Sequence, residues 1–407
     1  MDHSVHNKLV SFIWSIADDC LRDVYVRGKY RDVILPMVVL RRLDTLLEPT
    51  KDAVLEEVRY QQVEMELTEF DDEPLKEASG YVFYNTSKWT LRSLYTAASN
   101  NPEILLANFE EYLEGFSDNV KEIIQCFNLY AQIRHMSHKN VLLDVVEKFL
   151  SPYINLTPED AVDPDGYRLP ALTNLGMGYV FEELIRKFNE DNNEEAGEHF
   201  TPRDYVKLLA DLAVLPVADK IKATTYSVYD GACGTGGILT IAQERIKQIG
   251  KEQGKDVAIN IYGQELLPDT YATCKADLMI SGHIKSFQYN YAGEEREYIA
   301  FDSTVSRDGH AGETYDFCIS NPPFGTPWKE DLKNWGLGDK KEVIDPRFVH
   351  SSEASLTTAS EPISFIPDIG DCQMLFLANN VSRMKDTPLG TRIVEVHNGS
   401  SLFTGNA

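Results

Sequence analysis

The strand-like "YSVYD" runs directly into "DGACGTGG", which places Asp230, Gly231, Gly234, Thr235, Gly236 and Gly237 at a turn into a helix starting near Gly237. Such glycines let the backbone approach a ligand closely at a helix N-terminus, where unpaired N–H groups and the dipole face it. By itself this turn is also compatible with a plain tight strand-to-helix connection, or with a nucleotide, flavin or nicotinamide. The next strand sharpens the choice. "INIYGQE" puts Glu265 at its carboxyl end, where a carboxylate can accept both hydroxyls of a ribose. No G-x-x-x-x-G-K-[ST] occurs, so a phosphate-gripping loop is excluded. A ligand with a ribose and no phosphate fits better, and S-adenosylmethionine is the commonest of these.

A third strand-like run, "YDFCIS", leads into Asn321, Pro322, Pro323 and Phe324. In an open α/β sheet ligands bind outside the carboxyl ends of the strands, which is where this tetrapeptide falls. The two prolines remove N–H donors and fix φ, holding the neighbouring carbonyls and the Asn321 amide in place. The nitrogen of a planar amino group on a base or amide has a delocalised lone pair and attacks a methyl sulfonium poorly. If the Asn321 side-chain oxygen and the Pro322 carbonyl each accept one N–H, the nitrogen is drawn towards a tetrahedral shape, and no strong base is required. Phe324 supplies a flat face for an extruded base. An isolated "NPPF" also reads as an Asn-Pro turn with a buried ring; its place after a glycine loop and a ribose acid favours catalysis.

Two further sites are less determined. Asp302, in "YIAFDST", follows a possible third strand and either accepts from an exocyclic adenine amine or is a plain turn carboxylate. Phe200 and Thr201, in "GEHFTPR", either fold over the methionine end of the ligand or, for Thr201, cap the helix that Pro202 opens. His199 is assigned no chemistry.

The elements that must hold these residues read as two domains. From Asn7 to about Leu156, apolar residues recur at three- and four-residue steps, as in Leu9, Phe12, Ile13, Ile16 and in Val33, Met37, Leu40, Leu43, Leu47. This is an all-helical domain, 1–165. The acidic stretch Glu64–Glu77 reads as a solvated face, and Tyr81, Phe83, Tyr84 and Trp89 as core residues at a bend. After the proline-rich "SPYINLTPEDAVDPDGYRLP", short β-rich runs alternate with helical stretches. That pattern predicts a Rossmann-like, doubly wound α/β domain over 166–407.

Composition bounds the rest. The 407 residues include 39 basic and 64 acidic side chains, a formal charge of -25 that opposes unaided binding to a polyanion such as DNA. Six cysteines lie far apart with no C-x-x-C, so no metal cluster or disulfide framework is expected. No apolar run approaches the ~18 residues of a membrane span, and the polar start lacks a signal-peptide core, so the expectation is a cytoplasmic protein without membrane contact.

Taken together, "DGACGTGG", "GQE" and "NPPFG" resemble the motifs of amino-group methyltransferases that use S-adenosylmethionine. With "AGEHFTPR" before the sheet and "VILPMVVLRRLD" and "FYNTSKWT" in the helical domain, the chain resembles the modification subunit of type I restriction–modification systems. The resemblance implies N6-adenine methylation of double-stranded DNA with the target adenine flipped out. It also implies a specificity subunit joining two copies of the modification subunit, and a restriction subunit joining for cleavage. By position it makes Gly231, Gly234 and Gly236 the loop around the methionine part of the cofactor and Glu265 the ribose ligand. Asp302 falls near the cofactor adenine, Phe200 and Thr201 near the methionine end, and Asn321, Pro322 and Phe324 at the target base.

Against the family pattern, Gly231 stands where proline is frequent, and the sequence stops after a fifth strand where the family continues. The expectation is a domain truncated at its C-terminus. The segment between Gly325 and Asp371 is expected to face DNA and to be mobile without it. Methylation of a protein glutamine or an RNA base, and a cofactor-binding assembly subunit without catalysis, are the competing readings.

Overall fold

A computed structural model describes residues 3–191, 201–283, 288–289, 295–296, 298–350 and 363–399. It packs as two compact units, Met1–Ala196 with Lys275–Ser286, and Gly197–Cys274 with Phe287–Ala407. The first unit thus extends some way past the expected boundary at residue 165, taking in the helix Asn174–Asp191.

In the first unit, helix α1 (Arg31–Leu47) is buried on every side from Val33 to Leu47, and Pro36 stands inside it. A helix buried all round has no wet face for its charges, so each must find a partner within the protein. Arg41 pairs with Asp44 at 3.0 Å. The other Asp44 oxygen accepts from the Tyr112 hydroxyl at 3.0 Å and from the Leu91 N–H at 3.0 Å, at the start of α2 (Leu91–Asn100). Arg42 donates to the carbonyls of Leu156 at 2.6 Å and Leu172 at 3.0 Å, which ties the segment leading into the helix Asn174–Asp191 back onto α1. Lys51 reaches Asn85 Oδ1 at 2.9 Å, and burial pushes its ammonium down to about 8. Of the four aromatics expected in the core at a bend, Phe83 and Tyr84 are buried, while Tyr81 and Trp89 are only half-buried, Trp89 Nε1 donating to Glu111 at 2.8 Å. The linking segment is less bare than its prolines suggest: Ala161–Val162 and Arg168–Leu169 form a short antiparallel ladder.

The second unit is built on five parallel strands: β1 (Thr225–Asp230), β2 (Ala258–Glu265), β3 (Ile299–Phe301), β4 (Phe317–Ser320) and β5 (Arg392–Glu395), in the order β5-β4-β1-β2-β3. Helix α3 (Arg203–Val214) precedes β1, α4 (Gly237–Glu252) follows it, α5 (Pro268–Ile280) follows β2, and β5 is preceded by α7 (Gln373–Ser382), numbered after the insertion helix α6 (Lys329–Asn334). The chain reverses its direction of progress across the sheet between β1 and β4, the switch point where such sheets bind ligands. This is the doubly wound domain the alternation predicts. The central strands are covered on both faces, so β4 is buried at all its positions and β1 from Tyr226 onward. At the amino edge, Asp316 Oδ2 accepts from the Ser227 N–H at 2.8 Å and from Lys385 at 2.7 Å, pinning the starts of β1 and β4 together.

The segment after Gly325 departs from expectation. Its described part is packed, with Trp328, Leu332, Val343 and Phe348 in one apolar cluster with Leu375 and Phe376 of α7. Trp328 Nε1 donates to the Asp368 carbonyl at 2.8 Å. Arg347 donates to the carbonyls of Thr304 at 2.8 Å and Val305 at 2.6 Å and pairs with Asp345 at 2.7 Å. The physical reason is burial: four large apolar side chains, irregularly spaced among polar ones, find a shared interior that the linear pattern does not reveal. Residues 351–362, the stretch "SSEASLTTASEP", lie outside the described residues.

Candidate functional site

At the carboxyl edge, β1 ends on Asp230 and turns through the glycine loop into α4. Gly234 and Gly236 adopt φ of +56° and +86°, which L side chains rarely take, so the tight turn needs glycine there. The space a side chain at 234 would fill holds no heavy atom within 4 Å, leaving an open cradle beside the loop. Gly231 is different: a Cβ there would stand 3.0 Å from the Tyr229 hydroxyl and 3.1 Å from Thr304, so a larger residue would oblige these side chains to shift. Gly236 closes the turn by donating to the Cys233 carbonyl at 2.8 Å. Thr235 is half-buried within the loop, and Gly237 opens α4, whose first N–H groups lack intrahelical acceptors.

Glu265 sits one strand across. Its Oε2 accepts from the Gly234 N–H at 3.0 Å and its Oε1 from the Leu267 N–H at 2.8 Å. The glycine loop and the ribose candidate are therefore one hydrogen-bonded unit, with remaining lone pairs on both oxygens for ligand hydroxyls. Burial raises the Glu265 carboxyl, and these backbone donors pull it back.

Asp230 is fully enclosed, and burial pushes its carboxyl up to about 7 against the N–H of Ala232, which donates to Oδ1 at 3.0 Å. The Ser320 hydroxyl also acts on it, but neither Asp230 Oδ2 nor Ser320 Oγ completes a well-formed hydrogen bond.

Asp302 stands next to Glu265, its N–H donating to the Glu265 carbonyl at 3.0 Å. Its φ of +105° is strained for a residue with a side chain. The carboxylate accepts from the Ser303 N–H at 2.7 Å and pairs with Arg307 at 2.8 Å, so both the ligand role and the turn role are compatible with its place. Gln264, fully buried, holds this loop by donating to the carbonyls of Asp302 at 3.1 Å and Arg307 at 2.8 Å.

Two neighbours escaped the sequence reading. Leu266 and Phe301 are exposed large apolar side chains directly after Glu265 and directly before Asp302. An apolar residue beside each acid at a strand's carboxyl end was the available signal.

Beyond β4, Asn321 is half-buried, Pro322 buried, and Pro323 and Phe324 half-buried. The Pro323 carbonyl meets the Cys372 thiol at 3.8 Å, and Thr326 accepts at its carbonyl from the Cys372 N–H at 3.1 Å, so the loop is anchored to the start of α7. The Asn321 amide is held from one side: Nδ2 donates to the Thr201 hydroxyl at 2.9 Å. Its Oδ1 is buried and has no partner among the described residues. Thr201 does not cap α3; the cap position is Pro202, and the hydroxyl receives Asn321 instead. Phe200 lies outside the described residues.

The structure thus joins Gly234 with Glu265, Glu265 with Asp302, and Asn321 with Thr201 along one edge. Among the described residues, no group of His, Cys, Asp and Glu could hold a metal ion, and no helix is long and apolar enough to cross a membrane.

Comparison with known proteins agrees with this layout. The HsdM N-terminal domain profile matches residues 9–149, and the N-6 DNA Methylase profile matches residues 174–361. The methylase subunit of the type I restriction enzyme MjaIX of Methanocaldococcus jannaschii is 26% identical over 82% of this chain and 55% of its own length. The MpnII methylase subunit of Mycoplasma pneumoniae is 31% identical over 47% of this chain and 32% of its own. The chain therefore spans about half the length, or less, of these curated relatives. In fold it is similar to the type I restriction-modification methyltransferase subunit of Streptococcus thermophilus, with a TM-score of 0.60 at 18% identity, covering 98% of this chain and 76% of that one. A match to the HsdM N-terminal domain is thus followed along the chain by a match to N-6 DNA Methylase, and the chain is similar to the methylase subunits of type I restriction enzymes.

Proposed function

We propose that this chain transfers a methyl group from S-adenosylmethionine to the N6 amino group of an adenine flipped out of double-stranded DNA, as the modification subunit of a type I system. The observation that carries the reading is the Asn321 amide: Nδ2 is occupied by Thr201 while Oδ1 is buried and has no partner among the described residues. A buried acceptor without a donor costs about 1–3 kcal/mol, and such a group persists where a ligand supplies the missing partner.

The cofactor, when bound, supplies an electrophilic methyl group on a sulfonium. The residues present fit it: an open cradle at Gly234, the N-terminus of α4 at Gly237, and Glu265 tethered to the loop with acceptor capacity to spare. In this reading Glu265 holds the ribose hydroxyls, and Asp302 takes the adenine amine with Leu266 and Phe301 as apolar flanks. Gly231, Gly234, Thr235, Gly236 and Gly237 shape the wall beside the methionine part. Asp230, its carboxyl raised by burial to about 7, shapes the turn through Ala232 and carries only part of a negative charge under the loop at neutral pH.

At the target side, Asn321 Oδ1 and the Pro322 carbonyl each accept one amine hydrogen. Neither acceptor has another donor among the described residues. Drawing on both hydrogens pulls the nitrogen lone pair out of conjugation and aims it, a gain in orientation and electrostatics. Phe324 stacks on the extruded base. With a formal charge of -25, the chain leaves sequence reading and much of the phosphate contact to a specificity subunit, two modification subunits flanking it.

Radiolabelled methyl transfer to duplex DNA, with and without the specificity subunit, tests the proposal. Label in N6-methyladenine that disappears in Asn321→Ala is expected. Label only in protein or RNA would shift the substrate class, and cofactor binding with no transfer under any condition would make the chain an assembly subunit.

A further inference from the structure

Thr201 reaches the site from the loop before α3, and its hydroxyl accepts from Asn321 Nδ2 at 2.9 Å. A hydroxyl has one hydrogen to give and two lone pairs to receive with. While it accepts from Asn321, its own hydrogen is free to point elsewhere, and no acceptor for it is present among the described residues. The Asn321 carboxamide, for its part, has two faces of nearly the same shape. Turned one way it presents an acceptor to the target base; turned over, it would take the threonine hydrogen on Oδ1 and present a donor. A donor facing an amino group is repulsive, so only the first orientation is productive. Which one is stable depends on where the Thr201 hydrogen goes.

We propose that the Thr201 hydroxyl couples cofactor binding to the orientation of the Asn321 amide: by giving its hydrogen to an anionic acceptor of the bound cofactor, such as an amino-acid carboxylate, it becomes able only to accept from Asn321. The inference rests on the function proposed above and adds a positioning residue to it. With the cofactor bound, Oδ1 is held towards the target position; without it, the hydroxyl is free to rotate and the amide to turn over. Target capture in the productive arrangement therefore follows cofactor binding.

The test uses the full chain, the near-isosteric Thr201→Val, the hydroxyl-retaining Thr201→Ser, Asn321→Ala, and the Val/Ala double variant, with thermal melts to confirm that each is folded. S-adenosylmethionine affinity by calorimetry is the first readout and needs no turnover. Coupling predicts a non-additive cycle, in which the double variant departs from the product of the single effects by at least about threefold. An additive cycle, within about twofold, overturns the proposal. Methyl transfer at saturating cofactor, in the presence of the specificity subunit, is the second. Thr201→Val is expected to lower kcat by about 10-fold or more, with Thr201→Ser within about threefold of wild type. A Val variant that raises the cofactor KM and leaves kcat intact makes Thr201 a simple cofactor contact and overturns the coupling. If the wild type binds the cofactor with a non-additive cycle but never methylates DNA, the coupling stands and the proposed function fails; if it binds no cofactor, both fail.

Discussion

In the helical unit, Asp44 is almost wholly enclosed, and each of its oxygens has a partner: Arg41 on one, the Leu91 N–H and the Tyr112 hydroxyl on the other. At the carboxyl edge of the sheet, Asn321 and Asp230 are also buried at their oxygens, yet among the described residues Asn321 Oδ1 has no partner and Asp230 Oδ2 has only the Ser320 hydroxyl, without a well-formed hydrogen bond. Both regions are polar groups taken out of water, and both carry a desolvation cost. In the first it is offset inside the protein, because the task of those groups is to tie α1 to its surroundings. In the second part of it is left standing, as the proposed function requires of groups that await a ligand. Burial alone does not separate structural from functional polarity.

This contrast can be broken at either end. Asn321→Ala should lower methyl transfer by about 10³-fold or more, as removal of a transition-state acceptor does, while shifting unfolding free energy by less than about 1 kcal/mol. A large loss of stability in that variant, measured by denaturant titration, would place Asn321 with the structural groups. Asp44→Ala should do the reverse, leaving Arg41 and the α2 N-terminus without their acceptor and destabilising the helical unit by about 3–5 kcal/mol. Melting of that variant within a degree or two of wild type would show that the network is not needed for stability.

Glu265→Ala is expected to weaken S-adenosylmethionine binding by about 10- to 100-fold, since it removes a charged acceptor and frees the Gly234 N–H together. Calorimetry that finds unchanged affinity would remove Glu265 from the cofactor site. The smallest effect concerns Asp230. Its folded carboxyl is raised to about 7, above the ordinary aspartate range, so the folded state holds a proton that the unfolded chain releases. Stability contributed at this position is therefore greatest below about pH 4 and declines as pH rises towards 7, then levels off. Asp230→Asn lacks that slope and should gain on the wild type by about 1–3 kcal/mol across the same window. Parallel melts from pH 4 to 8 would expose a flat difference if the carboxyl titrates normally.

Much of the site was legible because its chemistry is local. A glycine loop after an apolar strand, an acid at the end of the next strand, and Asn-Pro-Pro-Phe at the end of another are short-range patterns imposed by turn geometry and sheet burial, and all three fall on the carboxyl edge. The insertion after Gly325 was not legible. Trp328, Leu332, Val343 and Phe348 have no single period, and their partners on α7 lie a few dozen residues on. Arg347 looks like surface charge in sequence, yet it binds carbonyls at Thr304 and Val305. Leu266 and Phe301 were passed over because an isolated apolar residue at a strand end is common, and only their shared exposure beside Glu265 and Asp302 sets them apart.

By itself, the sequence determined the two kinds of domain, the order of the strand-ending motifs and the identity of the groups that can accept, donate and stack. These depend on periodicity and on backbone chemistry within a few residues. Only the tertiary structure decided how those groups are engaged: Glu265 on the Gly234 N–H, Asp302 on Arg307, and Asn321 on Thr201, a contact across 120 residues of chain. Which face of an amide is left open is set by the neighbour that takes the other face, and that neighbour is chosen by folding.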